Sequence, residues 1–433
     1  MSGFKTVRGM RDFLADEAQL LRYVEDRARK VATLYGYKEI ITPIVESYEL
    51  LSVKAGEEVR SRMFAFKDLG DRDVALRPEF TASVARLVAA SFLDQPKPFR
   101  LFCVGSVYRY DEPQRGRYRE FWQSNFELMG SNRPEADAEV LLLTNSLMEN
   151  AGLKEFTFKI GHVGVLRGIF NQEKLEDRVH NQVMQLMDKK EYDDAFRVVQ
   201  DAGAPDNCLR VLRQLVKLKG EDVFNVVEKM KACVFGYEDA IVATENLRQI
   251  LELISKSGCR ITLNVDAGFA RGLEYYTGMI FEVYIPTLSI ALGGGGRYDR
   301  LIELFGGEST PAVGVAHGVD RIMLAIQQQK VPLGTDGKKS GVVIPINEQL
   351  KAEALKIAEM LREAGLAVEI EIMGRKMAKA LEDANRRKMN YAVIIGEREL
   401  KEGTVAIRDL ARREQKTVLI EKAVETINEM TAT

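Results

Sequence analysis

The chain has 433 residues, a formal net charge of −2, 46% hydrophobic residues and 29% charged ones. That length suggests two or three domains with their own cores, and the composition excludes a disordered chain. No apolar run approaches the roughly 20 residues that span a bilayer, and MSGFKTVRGMRDFL lacks the apolar core of a secretory signal. No membrane partner is therefore expected. Cys103, Cys208, Cys233 and Cys259 lie far apart without a CxxC pair, and His162, His180 and His317 are equally scattered. Neither a disulfide framework nor a protein-held metal is expected, and a reducing, cytoplasmic location fits. A net charge near zero does not announce nucleic acid, but one local basic face is enough to hold phosphates.

Residues 16–35 read as an amphipathic helix, with Asp16 as cap, Gln19 three residues on, and Leu20, Val24, Val31 and Tyr35 on one face. Gly36 is a natural stop. Glu39–Val45 reads as a strand that Pro43 confines to an edge or bulge. Met63–Lys67 and Val74–Arg77 form a hairpin around Gly70, and Glu79–Phe92 returns to helical spacing. Phe99–Arg109 and Phe121–Met129 are strands joined by a charged loop. Residues 166–235 are charge-rich and helical. Strands return at Arg260–Val265, Met279–Ile285 and Leu288–Leu292, followed by a helix at Gly314–Gln328. The polar stretch around 329–340 reads as a linker. Beyond it, Val342–Ile346, Ala367–Ile372, Tyr391–Ile395 and Thr404–Asp409 (strands) alternate with helices at Glu348–Ala364 and Met377–Arg387, as in an α/β unit.

The hairpin around the charged loop carries the chemistry. Alternation along a strand places Arg109, Gln123 and Glu127 on one face if Arg109 pairs opposite Gln123, with Phe102, Val104, Phe126 and Leu128 on the other. Polar groups converging on a sheet face need a ligand or each other. A solvated face with an ordinary Arg–Glu pair is the plain alternative.

GSVYRYDEPQRGRYREFWQSNFELMG resembles the second signature of class II aminoacyl-tRNA synthetases: strand, arginine, loop, aromatic, strand. AVGVAHGVDRIML, with Gly314, Gly318 and Arg321, resembles the third, and Pro43 matches the proline of the first. ARGLEYYTGMIFEV at 270–283 resembles a text peculiar to histidyl-tRNA synthetases, and LRPEFTASVAR and VRGMRDF are similar to others of that family. NYAVIIGERELKEGTVAIRDL resembles its anticodon-binding domain. The resemblance spans nearly the whole chain. It implies an α+β catalytic domain, its antiparallel sheet of about six strands flanked by helices, over 1–165 and 236–328. A helical insertion (166–235), a linker (329–340) and a C-terminal α/β anticodon-binding domain (341–433) complete the expected chain.

The resemblance further implies a histidine–tRNA ligase with histidine, ATP and tRNA(His) as substrates, Mg2+ bridging the outer phosphates, and a homodimer with the Pro43 segment at its interface. Adenylation brings two anions together, and arginine suits that task through its permanent charge and planar fork. Arg109 would hold the α-phosphate, and Arg271 would sit between that phosphate and the histidine carboxylate. Phe121 and Arg321 would sandwich adenine, with Arg321 also meeting the γ-phosphate. Asp111 stands on the adenine side where many members carry Glu, and Asp320 replaces the Glu that commonly precedes the last arginine. For histidine, Glu79 and Thr81 would take the ammonium, Gln123 the carboxylate end and Glu127 one ring nitrogen. Tyr276 would satisfy the other nitrogen, beside Tyr275, and Tyr298 would close the pocket. Without the resemblance, Tyr276 and Tyr298 would read as core aromatics and Arg321 as helix-surface charge. Polar pairing of this kind rejects analogues by about 10⁴-fold, so no editing site is expected.

Gly293–Gly296 lacks the Lys-Ser/Thr ending of a P-loop and reads as a close backbone approach to substrate. Arg115, Arg117 and Arg119 are expected at the tRNA acceptor end, with the insertion on the acceptor stem. Arg375, Lys376, Lys379, Arg386, Arg387 and Lys388 are expected on anticodon phosphates. Three rivals share parts of the pattern. Regulatory subunits of ATP phosphoribosyltransferase generally lack the anticodon domain and lose catalytic residues. Uncharged-tRNA sensors tend to have degraded sites. Synthetases for threonine, proline or glycine lack RGLEYYTG.

Overall fold

The computed structural model describes residues 3–430 except 54, 93, 273 and 334–338. The chain divides into two compact units, Met1–Val331 and Pro332–Thr433. The part of the expected linker at 334–338 lies outside the described residues.

In the first unit the strands are β1 (Lys38–Glu39), β2 (Val45–Ser47), β3 (Ala65–Lys67), β4 (Asp73–Leu76), β5 (Phe99–Tyr108), β6 (Glu120–Met129), β7 (Thr157–His162), β8 (Lys219–Gly220), β9 (Leu263–Asp266), β10 (Met279–Tyr284), β11 (Gly293–Arg297) and β12 (Ala312–Gly318). Nine of them form one sheet in the order β1-β5-β6-β12-β11-β10-β7-β9-β8, and β2-β4-β3 form a second. The central six, β5 to β7, pair antiparallel throughout. The short edges then make the sheet mixed, because β1 joins β5 and β9 joins β7 in parallel.

One face of this sheet is covered by long helices. Ala15–Leu34, Pro134–Asn150 and Val319–Gln328 pack there, and His317 of β12 meets Thr144 of the second at 3.1 Å. The first helix buries Leu20, Leu21, Val24, Ala28 and Val31 along one stripe. Its N-cap is Leu14 rather than Asp16, which falls in the first turn with Glu17 where negative charge suits the helix dipole. Gly36 ends it in the left-handed region, φ 75°. The opposite sheet face is covered at one end by the helix Thr81–Ser91, over Leu101, Cys103 and Val107. The rest of that face forms the floor of a pocket.

Pro43 does more than confine a strand to an edge. The expected strand Glu39–Val45 is broken into β1 and β2, which belong to different sheets. Leu288–Leu292 is not a strand; the glycine run after it is. The helix expected from Gly314 begins at Val319, because Ala312–Gly318 is a core strand. From Val163 to Cys233 the chain is helical apart from β8, as its charge-rich text suggests.

The second unit contains β13 (Ser340–Pro345), β14 (Ala367–Ile370), β15 (Tyr391–Ile395), β16 (Thr404–Asp409) and β17 (Gln415–Leu419), in the order β14-β13-β15-β16-β17. The first three are parallel and the last two antiparallel. Alternation sorts its core. Val343, Tyr391, Val393, Val405 and Ile407 face the helices Lys351–Glu363 and Ala423–Met430, while Val342, Ile344 and Ala392 face Met377–Arg386.

Candidate active site

The pocket rests on a sheet face made empty by glycine. Gly294 and Gly296 of β11 and Gly314 of β12 all point their missing side chains into it. A Cβ on Gly294 would collide with the Arg271 guanidinium, one on Gly314 with the Glu127 carboxylate, and one on Gly296 would lie 3.0 Å from the Tyr276 ring. Glycine weakens a strand, so the hydrogen-bonded neighbours β10 and β12 hold this one in place. The backbone, expected from the sequence to approach substrate closely, is approached closely by the side chains of Arg271, Glu127 and Tyr276.

Gln123 and Glu127 project onto this face, as expected, but the register differs. Gly105, not Arg109, pairs with Gln123. The slip is four residues, an even number, so the shared face survives. Arg109 lies just beyond the end of β5, where its Nε donates to the Pro78 carbonyl at 2.9 Å and its guanidinium stands 5.5 Å from the Phe121 ring centre. Arg271 donates to the Phe281 carbonyl at 3.2 Å and lies 3.9 Å from Glu282. Arg321 donates to the carbonyls of Ala291 (2.8 Å) and Gly116 (3.4 Å). Among the described residues, neither Arg109 nor Arg321 has a carboxylate partner. Burial, then repulsion from Arg109 and Arg117, pushes the Arg321 pKa down to about 10. Cations that converge on one pocket and repel one another mark a site built for an anion.

Beside this positive field lies a carboxylate held by hydroxyls. Glu127 is buried, accepts from Thr81 Oγ1 at 2.8 Å and from the Tyr298 hydroxyl, and burial raises its pKa to about 7. Glu79 accepts from the backbone N–H groups of Thr81 and Ala82, so it also satisfies two orphan donors of the helix Thr81–Ser91. Gln123 is buried in the lining with an unpartnered Oε1. Arg109, Phe121, Gln123, Glu79, Thr81, Arg271, Tyr275, Tyr276, Tyr298 and Arg321 all line this one pocket of about 260 Å³. Of two larger recesses, of about 760 and 740 Å³, the first lies elsewhere and the second adjoins this pocket, sharing Tyr275 and Tyr276 with it. Electrostatics rather than size picks out the smaller one.

Asp111 is not in the lining; its Oδ1 accepts from Arg62 at 3.1 Å. Arg119 is turned inward and stacks 3.5 Å over Tyr110, whereas Arg115 and Arg117 are exposed. Sequence reading missed Glu282, whose place on the strand after RGLEYYTG was a usable signal, and Asp188, for which no sequence signal existed. It also missed the role of the N-terminal text VRGMRDF. Gly9 accepts from the Arg119 N–H at 2.9 Å, and Arg11 lies 3.6 Å over Tyr118 while pairing with Asp320, which also accepts from Trp122 N–H at 2.7 Å.

A family model described as histidyl-tRNA synthetase matches residues 9–322, and one described as an anticodon binding domain matches 341–430. A histidine–tRNA ligase of Methanocaldococcus jannaschii is 41% identical over 97% of this chain and 98% of that protein. The chain belongs to the histidyl-tRNA synthetase family. The apo histidyl-tRNA synthetase of S. aureus matches with a TM-score of 0.72 and 25% identity, over 98% of this chain and 100% of that one. A Bacillus halodurans chain described as an ATP phosphoribosyltransferase regulatory subunit/histidyl-tRNA synthetase gives 0.75 and 27%, over 88% and 96%.

Two consequences bear on the stability of this family member. Asp320 is buried, so Arg11→Ala leaves its charge unpaired and should cost roughly 2–4 kcal/mol in urea unfolding. Adding Asp320→Asn should recover part of that loss; purely additive costs would disprove the coupling. Glu127 titrates near pH 7 in the folded chain against 4.5 ordinarily. Its folded pKa is raised, so between about pH 4.5 and 7 the native state binds the extra proton, and stability falls as pH rises through that window. Glu127→Gln should therefore flatten the apo-protein's Tm–pH curve between pH 5 and 8. An unchanged slope would contradict the raised pKa.

In the second unit the basic segment is partly self-neutralised. Arg375 pairs with Glu371, and Arg386 and Arg387 with Asp383. Lys376, Lys379 and Lys388 are exposed and have no carboxylate within 4.0 Å among the described residues.

Proposed function

We propose that the chain is a working histidine–tRNA ligase, forming histidyl-adenylate from histidine and ATP and passing the histidyl group to the 3′ end of tRNA(His). The observation that carries this reading is the buried, hydroxyl-held carboxylate of Glu127 together with the guanidiniums of Arg109 and Arg321, which have no carboxylate partner among the described residues. An acceptor that suits an imidazole N–H stands next to a field that suits a triphosphate.

In this reading the histidine carboxylate attacks the α-phosphorus of ATP, and the bond to pyrophosphate breaks. Arg109 holds the α-phosphate. Arg271, anchored on the Phe281 carbonyl, lies between that phosphate and the attacking carboxylate, neutralising charge as it develops. Phe121 and Arg321 hold the adenine, and Arg321 meets the γ-phosphate. Glu127 and Tyr276 read the imidazole, Glu79 and Thr81 the ammonium, and Gln123, whose Oε1 has no partner among the described residues, takes a further polar group of the amino acid. Mg2+ needs only one or two carboxylates besides phosphate oxygens. Glu282 fits, lining the pocket near Arg271 and held by the Tyr284 hydroxyl; the ion there would offset charge on the outer phosphates. In the second half-reaction the terminal tRNA hydroxyl attacks the adenylate carbonyl and AMP leaves.

A regulatory-subunit reading is weaker, because the arginine set and the anticodon-type unit are both present. Lys376, Lys379 and Lys388 would lie on tRNA phosphates, so the affinity for tRNA should fall steeply with salt. A salt-independent Kd would remove them from the interface. The exposed apolar residues Ile41, Ile44, Val45, Phe66 and Leu69 cluster in sequence around the short strands near Pro43, and a homodimer would cover that region. A monomer at micromolar concentration in sedimentation would refute it. Four free cysteines suit a cytoplasmic site of action.

The test is amino-acid-dependent ATP–pyrophosphate exchange against all twenty amino acids. Exchange with histidine alone is expected. Exchange with another amino acid would overturn the specificity, and none at all would overturn the activity.

A further inference from the structure

The segment from Ala267 to Gly278, between β9 and β10, carries Arg271, and its described residues belong to neither a helix nor a strand. Something outside it must hold the guanidinium at its post. The Arg271 side chain is anchored on the Phe281 carbonyl and Thr277 on Arg297 of β11, but the hydrogen bonds at Gly272 and Glu274 come from the helical insertion. Asp188 Oδ2 accepts the backbone N–H of Gly272 at 2.8 Å, directly after Arg271. Two residues further on, Glu274 is held twice: its carboxylate accepts from Asn181 Nδ2 at 3.3 Å, and its carbonyl from Arg167 Nη2 at 3.3 Å.

Asn181 and Asp188 both lie on the helix Asp177–Asp188, seven residues apart, which is two turns and one face. Asp188 is its last residue. A carboxylate there opposes the helix dipole and serves the helix itself poorly. Its position makes sense for the loop. The loop side is shaped to match: a Cβ on Gly272 would stand only 3.2 Å from Asp188 Oδ2, so the close approach suits glycine. Asp188 also lines the pocket, although it lies outside every signature text of the family.

We propose that Asp188 is a positioning residue for adenylation, and that the insertion helix Asp177–Asp188 holds the Arg271 loop in its working pose through the Gly272 peptide. The insertion is then part of the amino-acid activation site as well as a candidate tRNA contact. This inference rests on the role given to Arg271 above.

The experiment compares Asp188→Ala, Asp188→Asn, Arg271→Ala and the double Asp188→Ala/Arg271→Ala in the full chain. Histidine-dependent pyrophosphate exchange is measured per active site, counted by the burst of adenylate formed. Asp188→Ala should lower kcat about tenfold or more with the KM for ATP within about twofold. Asp188→Asn should recover activity to within about threefold, because its amide oxygen accepts the same N–H. In the Arg271→Ala background, Asp188→Ala should cost less than about twofold, since it acts through a side chain no longer there. An equal tenfold loss in both backgrounds overturns the proposal in favour of a general structural defect. So does an Asn variant as poor as Ala, which would mean that charge rather than the hydrogen bond matters. So does an unaffected Asp188→Ala enzyme beside an impaired Arg271→Ala one. Full exchange by Arg271→Ala alone would instead remove the role of Arg271, and the proposal with it.

Discussion

Arg271→Ala should lower histidine-dependent pyrophosphate exchange by about 10²–10³-fold in kcat, with the protein still folded. The magnitude follows from removing one fixed donor aimed at charge that develops in the transition state. Arg271 is suited to that role by its surroundings. Burial alone would depress its charge, but Tyr276, Glu282, Tyr275 and Asp188 together hold the guanidinium more firmly protonated than usual. Its Nη1 is anchored on the Phe281 carbonyl, so the side chain is ordered before substrate arrives. A loss confined to the KM for histidine, with kcat intact, would show that Arg271 only binds the ground state.

Glu127→Ala should cut kcat/KM for histidine by on the order of 10²–10³-fold and narrow the preference for histidine over analogues lacking an imidazole N–H. The side chain is enclosed, and two hydroxyls, those of Thr81 and Tyr298, donate to it. Its removal leaves both hydroxyls without their acceptor and takes the ring's partner away. Retained discrimination in the exchange assay would move imidazole recognition to Tyr276 or another group.

Much of this was legible in the sequence because local pattern and tertiary role agree. Strand geometry puts every second residue of the hairpin β5–β6 on one face, and even a wrong guess at its register kept Arg109, Gln123 and Glu127 on one side. The α/β grammar of residues 340–410 was equally clear, since its strands are short apolar runs between charged helices. Legibility failed where propensity and context part. Gly293–Gly296 has almost no strand propensity and is a strand only because β10 and β12 pair with it. Ala312–Gly318 looks like the start of the helix that follows it, because small residues suit both. Asp188 was invisible, being an acidic residue at the end of a charge-rich helix whose partner is a backbone N–H 84 residues away. Arg11 and Asp320 meet across some 300 residues for the same reason.

The glycine strand leaves the pocket with a lopsided capacity for change. Every single substitution along Gly293–Gly296 adds atoms and none removes any, and each added Cβ would press on a neighbour: His317 and Arg271, then the Gly314 carbonyl and Tyr276. The hollow can be filled in but not enlarged from below. A descendant accepting a bulkier amino acid would have to recede at its walls, at Tyr275, Tyr276 or Tyr298, while the floor stayed as it is.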